Sequence, residues 1–193
     1  MLLKTCLGVI LGLASLSGLA TNLLVIYPVF SLAFISSKNP IYVIAFVNIL
    51  VDILSILGTL IFLVPWIIID HEIFHGNWTK IGGSLFMFTW YSGSLTQIIM
   101  SINRLIVVCM RSIASHITKN LILVIFAFLI PFSMFLTSMA QFILPCCELF
   151  YDHRILSITY VNSTQFNYAN EYIEYGLCAI LKYSSQFTNR KSV

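Results

Sequence analysis

Residues 39–69 read NPIYVIAFVNILVDILSILGTLIFLVPWIII, and they indicate what kind of fold the chain has. It contains a single charged side chain, Asp52. About 20 apolar residues in a helix cross the roughly 30 Å hydrocarbon core of a bilayer, so the stretch is long enough to span a membrane. Hydrocarbon offers backbone amides no hydrogen-bond partner, and a helix satisfies them within its own segment. We therefore predict a membrane-spanning helix here, although many of the residues are β-branched.

Three further stretches have the same character. Residues 5–37, 81–103 and 120–147 contain no Lys, Arg, Asp, Glu or His. We predict four spans, at about 7–35, 41–69, 82–108 and 120–144. A fifth apolar run at about 172–187 is short and is interrupted by Lys182, so we expect only a partial fifth crossing.

The composition of the whole chain excludes several classes of protein. Of the 193 residues, 59% are hydrophobic and 9% are charged, and the mean hydropathy is +0.96. Soluble domains carry about 25% charged residues. A soluble enzyme, a nucleic-acid-binding protein and a disordered segment are therefore excluded. We predict an all-α, polytopic transmembrane helix bundle in which residues 1–193 form a single domain.

The charges of the connecting segments predict the orientation. Lys38 lies between the first two spans, and Arg104, Arg111 and Lys119 cluster between the third and the fourth. Basic residues gather on the cytoplasmic side of a membrane. We therefore expect the first and third connections to be cytoplasmic and the amino terminus to be extracellular.

Two kinds of residue on the predicted outer side are open to modification. Asn77 begins an N-W-T glycosylation sequon between the second and third spans, and Asn162 begins an N-S-T sequon after the fourth. Both fall on the side where N-glycans are added, which agrees with the orientation from charges. Cys146 and Cys147 lie on the same oxidising side, so we expect a disulfide from this pair to another outer cysteine, with its connectivity left open.

Polar or small side chains line one face of each of the first three spans at helical spacing. These stripes are Ser15, Gly18 and Asn22 on the first, Asn48, Asp52, Ser55 and Thr59 on the second, and Ser94, Gln97, Ser101 and Arg104 on the third. Such faces point into a helix bundle. Asp52 is the only carboxylate within a span, and an ionisable residue in the membrane is a functional-site candidate. Gly8 and Gly12 form a small-residue face that favours close helix packing over dimerisation.

No catalytic or metal-binding pattern is present in the sequence. The four histidines form no zinc motif, and the nearest pair, His71 and His75, lies in a short loop without a third ligand beside it. There is no glycine-rich phosphate loop, no nucleophile elbow and no pair of carboxylates placed for acid–base catalysis. We predict that the protein is not an enzyme and that it uses no cofactor or metal.

Three segments resemble the seven-helix G-protein-coupled receptor plan. They are GLATNLLV at 18–25, FVNILVD at 46–52 and SINRLIVV at 101–108. The likeness is to the serpentine chemoreceptors of class X, which have an Asn-Arg signature that closes helix three and a PCC-like stretch after helix four, here residues 145–147. It runs from about Gly12 to Leu181.

The resemblance implies roles for the residues of three regions. In the superfamily, the polar pair matched by Asn22 and Asp52 tunes the switch between two packings. The position of Arg104 contacts the G protein or locks the inactive state, with Asn103 here in place of the usual acid, and Arg111 and Lys119 complete the G-protein contact region. The ligand-pocket residues that we expect on the outer half are Trp66, Met87, Trp90, Tyr91 and Gln141.

The resemblance also implies partners and a location. A chemoreceptor of this plan lies in the plasma membrane of sensory cells, where it detects an external small molecule and passes the signal to a heterotrimeric G protein. The resemblance leaves open whether the receptor forms a dimer. The superfamily disulfide from helix three cannot form here, because no cysteine lies between Cys6 and Cys109.

Length is the main departure from the family plan. Seven crossings of about 20 to 25 residues with their loops exceed 193 residues, so helices six and seven are expected to be missing.

The sequence leaves three alternative functions. The chain is a chemosensory receptor, in a form that signals or one that does not. The second alternative is a non-signalling multi-span protein that associates with or regulates full-length receptors. The third is a small channel or transporter subunit with Asp52 as its ion site.

Overall fold

The computed structural model describes residues 2–36, 39–69, 77–109, 118–143, 149–152 and 157–160. The helices are α1 (Leu2–Phe30), α2 (Ile41–Gly58), α3 (Val64–Ile69), α4 (Asn77–Cys109) and α5 (Lys119–Ser138). The wider π-helical turns Ser31–Ser36, Thr59–Leu63 and Met139–Ile143 extend α1, join α2 to α3 and extend α5. The antiparallel strands β1 (Leu149–Asp152) and β2 (Ser157–Tyr160) follow as a hairpin.

Four helical segments are long and apolar enough to cross a membrane, which confirms the four predicted spans. They are Leu3–Ser36, Ile41–Ile69, Trp78–Cys109 and Lys119–Ile143, called the first to fourth spans below. The predicted fifth span at 172–187 lies outside the described residues, as do Arg111, Cys146, Cys147 and Asn162. The hairpin was not predicted, and it adds a small strand pair to an otherwise helical fold.

The third span starts earlier than the sequence analysis predicted. Asn77 is the first residue of α4, five residues before the predicted start at 82, so its sequon lies on a helix and not in a loop. The helix begins before the apolar run because the polar residues of its first turn can lie at the membrane interface. The side chain of Trp78 is 59% exposed, as is usual for a Trp at the headgroup level, and Lys80 carries an apolar stem with a charged tip.

Short side-chain contacts fix two helix starts. The Ile41 backbone N–H donates to Asn39 Oδ1 at 3.1 Å, directly before α2. The Leu121 backbone N–H donates to Thr118 Oγ1 at 3.3 Å, so Thr118 is the N-cap of α5. These bonds satisfy donors that the first helical turn leaves unpaired.

A π turn accommodates the proline of the second span. Pro65 has no N–H to donate to the carbonyl four residues before it, and its ring crowds that carbonyl. Just ahead of it, the Val64 N–H donates to the Thr59 carbonyl five residues back, which is the spacing of a π turn. The helix therefore adapts to Pro65 by a local widening.

Glycines set how closely the first two spans approach. Gly8 is buried, and a Cβ added there would lie 2.6 Å from Ile68 Cγ1. A Cβ added at Gly12 would lie 3.3 Å from Val64 Cγ1. The small-residue face therefore packs against α3 of the same chain, as predicted.

Two buried clusters lie at opposite ends of the bundle. At one end, residues from all four spans surround an apolar core that includes Ala33, Val43 and Phe126. Beside it, Lys119 Nζ donates to the Phe34 carbonyl at 3.4 Å, so the first and third connections share this end. At the other end, Phe62 and Trp66 pack with Leu63 and Leu85.

The outer faces of the spans carry large exposed apolar side chains, as expected for helices that lipid surrounds. Leu24 is 79% exposed and Phe128 is 74% exposed. In water these surfaces would drive aggregation.

The hairpin is held at the end of the bundle opposite Lys119. Gln141 Nε2 donates to the Leu149 carbonyl at 2.9 Å, and the Leu149 N–H donates to Gln141 Oε1 at 3.0 Å. A Cβ added at Gly83 would overlap the Leu149 carbonyl oxygen. One side-chain amide and one glycine therefore dock β1 against the third and fourth spans, and we call these two contacts the hairpin clamp.

The glycine contacts predict a difference between two matched substitutions. Gly8→Ala places its Cβ against Ile68, and we expect it to destabilise the bundle by about 1–3 kcal/mol, as overpacking does. Gly18→Ala meets Ile56 Cδ1 at 3.5 Å, an ordinary contact, and should be neutral or stabilising. Both changes gain the same helix propensity. Unfolding in detergent micelles compares them, and equal stabilities would contradict the packing described above.

The hairpin clamp predicts that Gln141→Leu releases β1. The backbone N–H and carbonyl of Leu149 would lose their partners, at a cost of about 1–3 kcal/mol. We expect faster hydrogen exchange at the Leu149 amide. Ser138→Ala is the control, because this exposed hydroxyl bonds only to the Met134 carbonyl of its own helix. Unchanged exchange at Leu149 in the Gln141 variant would refute the clamp.

Candidate functional site

The polar stripes of the second and third spans face each other. Gln97 Nε2 donates to Asn48 Oδ1 at 3.4 Å, and Asn48 Nδ2 donates to Asp52 Oδ2 at 3.0 Å. The two spans run antiparallel, since Gly58 faces Leu85 and Gly93 faces Val51 further along. The stripes meet here, but the side chains of Asp52 and Gln97 are exposed, so the prediction that these faces point into the bundle is not confirmed for them. We call Asn48, Asp52 and Gln97 the polar relay.

A cavity of about 310 Å³ adjoins the polar relay. Its lining includes Asp52 and Ser55 from the second span and Trp90, Ser94 and Gln97 from the third. The cavity is open at one side, where the side chain of Asp52 is exposed and that of Trp90 is 43% exposed. The arrangement offers a carboxylate, an amide, two hydroxyls and an indole face to a small polar molecule or to another helix.

The chemistry of this site is that of binding and of switching. No group of three or more His, Cys, Asp or Glu side chains that could hold a metal occurs within the part of the chain that the structure describes. Within the described ranges, the Asp52 carboxylate is bonded to an amide and not to a basic group. The relay can therefore change its hydrogen bonds when the two helices shift.

Asn22 lies level with Asp52 on the neighbouring span. The first and second spans are antiparallel, and Gly18 faces Ile56. Asn22 lies one turn after Gly18 on the first span, and Asp52 lies one turn before Ile56 on the second. Because the spans are antiparallel, Asn22 and Asp52 lie at the same depth in the bundle. Among the described residues the hydrogen-bond partner of the Asp52 carboxylate is Asn48, so Asn22 shares the depth of the relay without replacing that partner.

Asn103 and Arg104 occupy opposite environments at the other end of the third span. Asn103 is buried, with 5% of its surface exposed. Arg104 is exposed, and its Nη2 lies 3.7 Å from Met100 Sδ on the same helix. Lys119 and Arg104 share the end of the bundle at which the first and third connections lie.

The five residues expected to form a ligand pocket do not share one environment. Trp90 lines the cavity beside the relay. Trp66, Met87 and Tyr91 are buried at 3%, 2% and 0% exposure, and Trp66 belongs to the apolar cluster with Phe62. Gln141 uses both ends of its amide in the hairpin clamp.

Sequence reasoning named Asn48 and Gln97 as members of stripes but not as site residues. The spacing of Asn48 and Asp52 was the available signal, because residues four apart on a helix are neighbours. The bond from Gln97 to Asn48 joins residues 49 positions apart and depends on how two helices pack.

A sequence comparison with curated proteins gave no match. The crystal structure of squid rhodopsin is similar, with a TM-score of 0.78 and 14% identity over 95% of this chain. The chain spans about half the length of that protein, since the match covers 54% of it. The likeness shows a rhodopsin-like membrane helix fold.

The family model for the serpentine-type seven-transmembrane chemoreceptors called Srx matches residues 13–190, so the chain belongs to the Srx family of G-protein-coupled chemoreceptors.

Proposed function

We propose that this protein is a chemosensory receptor that binds an external small molecule and communicates with a heterotrimeric G protein. Membership of the Srx family over residues 13–190 supports the class of function. The observation that carries the proposal is the polar relay, because it joins two spans through groups that can exchange partners. In this reading residues 1–193 are one domain of the receptor.

The relay suits a switch for a physical reason. A ligand changes the packing of a bundle only by binding one packing better than another. The bond from Gln97 to Asn48 is long at 3.4 Å, whereas the bond from Asn48 to Asp52 is 3.0 Å. A small shift of the third span therefore breaks the first bond at little cost and leaves the second intact. We assign Asn22, Asp52, Asn103 and Arg104 to the switch, with Asn48 and Gln97 added.

The opposite ends of the bundle take different partners in this proposal. The end with Arg104 and Lys119 faces the cytoplasm and the G protein, together with Arg111 of the third connection, because the positive charge gathers there. The amino terminus and the hairpin face the exterior. Trp90 and the cavity beside Asp52 are the part of the expected ligand region that is open to a small molecule. The other expected ligand residues, Trp66, Met87, Tyr91 and Gln141, are buried and do not line this cavity.

Nucleotide exchange tests the proposed function. The full chain is expressed in membranes with a purified heterotrimeric G protein, and exchange is measured against a panel of small organic odorants. We expect an odorant-dependent rise that Arg104→Ala abolishes. Asp52→Asn keeps the shape and removes the charge, and it should change the odorant response by about 5- to 150-fold, the usual range of coupling between sites.

Thr59→Val is the matched control for the relay variant. Its hydroxyl bonds to the Ser55 carbonyl of the same helix, so we expect a response close to that of the parent chain. No exchange with any odorant would overturn the receptor proposal for this chain. An altered response only when a full-length receptor is present would favour a regulatory partner. Ion currents that disappear in the Asp52 variant would favour a channel.

Glycan mapping tests the proposed orientation separately. We expect a glycosidase-sensitive shift in gel mobility that Asn162→Gln removes, while Asn77 contributes less because it begins a helix. Ile113→Asn creates an N-A-S sequon beside Arg111, and this site should stay unmodified on the cytoplasmic side. Modification at position 113 would invert the topology.

A further inference from the structure

The carboxylate of Asp52 has one oxygen to offer to a molecule in the adjoining cavity. Oδ2 accepts the hydrogen bond from Asn48, which holds the carboxylate in place, whereas Oδ1 has no hydrogen bond or ion pair within the described ranges. The side chain is exposed and lines the cavity, so a molecule in the cavity can reach this oxygen. A carboxylate within a membrane span is costly unless donors or a cation stabilise it.

No cation in the described part of the chain pairs with Asp52. The basic residues there are Lys4, Lys80, Arg104 and Lys119, and none of them lines the cavity. The contact of Gly93 with Val51 sets the level of Asp52 on the third span. The guanidinium of Arg104 lies beside Met100, seven residues or about 10 Å of helix from Gly93, whereas an ion pair needs about 4 Å. These residues therefore give Asp52 no counter-ion, and a cationic ligand would bring one.

Ser94 adds a second unpaired oxygen to the same cavity. Its side chain is 8% exposed and lines the cavity. Its hydroxyl has no hydrogen-bond partner within the described ranges, whereas the hydroxyls of Thr89 and Thr96 donate to carbonyls of their own helix. Its oxygen is not one of the unpaired atoms that the bundle encloses completely, so the cavity gives access to it. Buried hydroxyls are nearly always bonded, and a ligand with N–H donors would provide the partner.

The walls of the cavity favour an organic cation over a metal ion or an anion. Phe86 and Trp90 line it, and the face of an indole ring attracts a cation. The volume of about 310 Å³ is near the lower end of the range for small-molecule sites, and a single metal ion would leave most of it empty. An anion would meet the like charge of Asp52, and a neutral molecule would leave that charge unpaired.

We propose that the cavity beside Asp52 binds a small protonated organic amine. Its N–H groups donate to Asp52 Oδ1 and to Ser94 Oγ, and its apolar body lies against Trp90. Because Asn48 holds the other oxygen of the carboxylate, the amine also contacts the polar relay directly. This inference rests on the proposed receptor function, of which it names the ligand class.

Binding of radiolabelled 2-phenylethylamine to the full chain in phosphatidylcholine nanodiscs tests the inference. We expect saturable binding that Asp52→Asn weakens at least about tenfold, which corresponds to about 1.4 kcal/mol. The amide keeps the shape of the carboxylate but cannot make a charge-assisted pair with the ammonium group. Ser94→Ala removes one neutral acceptor, and we expect it to weaken binding by about two- to tenfold.

Two pairs of variants separate the cavity from general effects on the third span. Trp90→Leu should weaken binding at least about twofold through the lost cation–π contact, whereas Trp78→Leu removes an exposed Trp that does not line the cavity. Ser84→Ala is the control for Ser94→Ala, because the Ser84 hydroxyl donates to the Lys80 carbonyl of its own helix. Both controls should bind like the parent chain. Parent-like binding by the Asp52 variant would overturn the proposal, and so would an absence of saturable binding to the parent.

Competitors define the ligand class without relying on a variant that folds. 2-Phenylethanol keeps the ring and the chain but carries no charge, and we expect it to compete at least about tenfold less well than the amine. Phenylacetate carries the opposite charge and should not compete. Equal competition by the alcohol would overturn the pairing with Asp52. Loss of amine binding in sodium chloride but not in potassium chloride would overturn the amine and assign the cavity to a metal ion.

The binding assay contains no G protein, so its outcome is separable from that of the receptor proposal. Saturable amine binding without nucleotide exchange would support the amine site and count against signalling by this chain. Exchange evoked by neutral odorants, in a chain that binds no amine, would support the receptor proposal and overturn the amine site.

Discussion

Hydrocarbon offers no hydrogen bonds, so a polar atom in the four spans has to find its partner within the protein. The hydroxyl groups mostly do so locally. Thr96, Ser133 and Thr137 each donate to the carbonyl four residues back on their own helix, at distances of 2.7–3.0 Å. Because these hydroxyls bond within their own helix, they do not determine which helix packs beside them. Longer amide side chains cannot be satisfied in this way as easily, and Asn48 and Gln97 instead join two spans.

The same constraint explains why the spans could be predicted from the sequence. An apolar run of more than about 20 residues with at most one charge is expected to cross a bilayer as a helix, and the run from 39 to 69, with Asp52 as its single charge, needed no other information. The grouping of polar residues into stripes followed too, because helical spacing fixes which side chains share a face. The start of the third span was missed, since Asn77 and Lys80 are polar residues that a membrane interface tolerates.

Contacts between residues far apart in the chain could not be predicted from the sequence. Asn22 and Asp52 were paired by resemblance, and the packing of the first two spans does bring them to one depth, but the carboxylate bonds to Asn48. Gln141 was expected in a ligand pocket, and its amide instead bonds the backbone of Leu149. Strand β1 has only four residues, and its pairing with β2 gives no signal that composition or hydropathy could detect.

The hairpin clamp has a consequence for how this end of the molecule can vary. Gln141 bonds to the main chain of Leu149, and Gly83 makes room for a carbonyl oxygen that every amino acid has. Any residue except proline, which lacks the N–H, can offer the same two groups at position 149. The strand is thus anchored by its peptide group, so the attachment point does not depend on the chemistry of the side chain at position 149, whereas the burial of Leu149 limits how large a replacement evolution can place there.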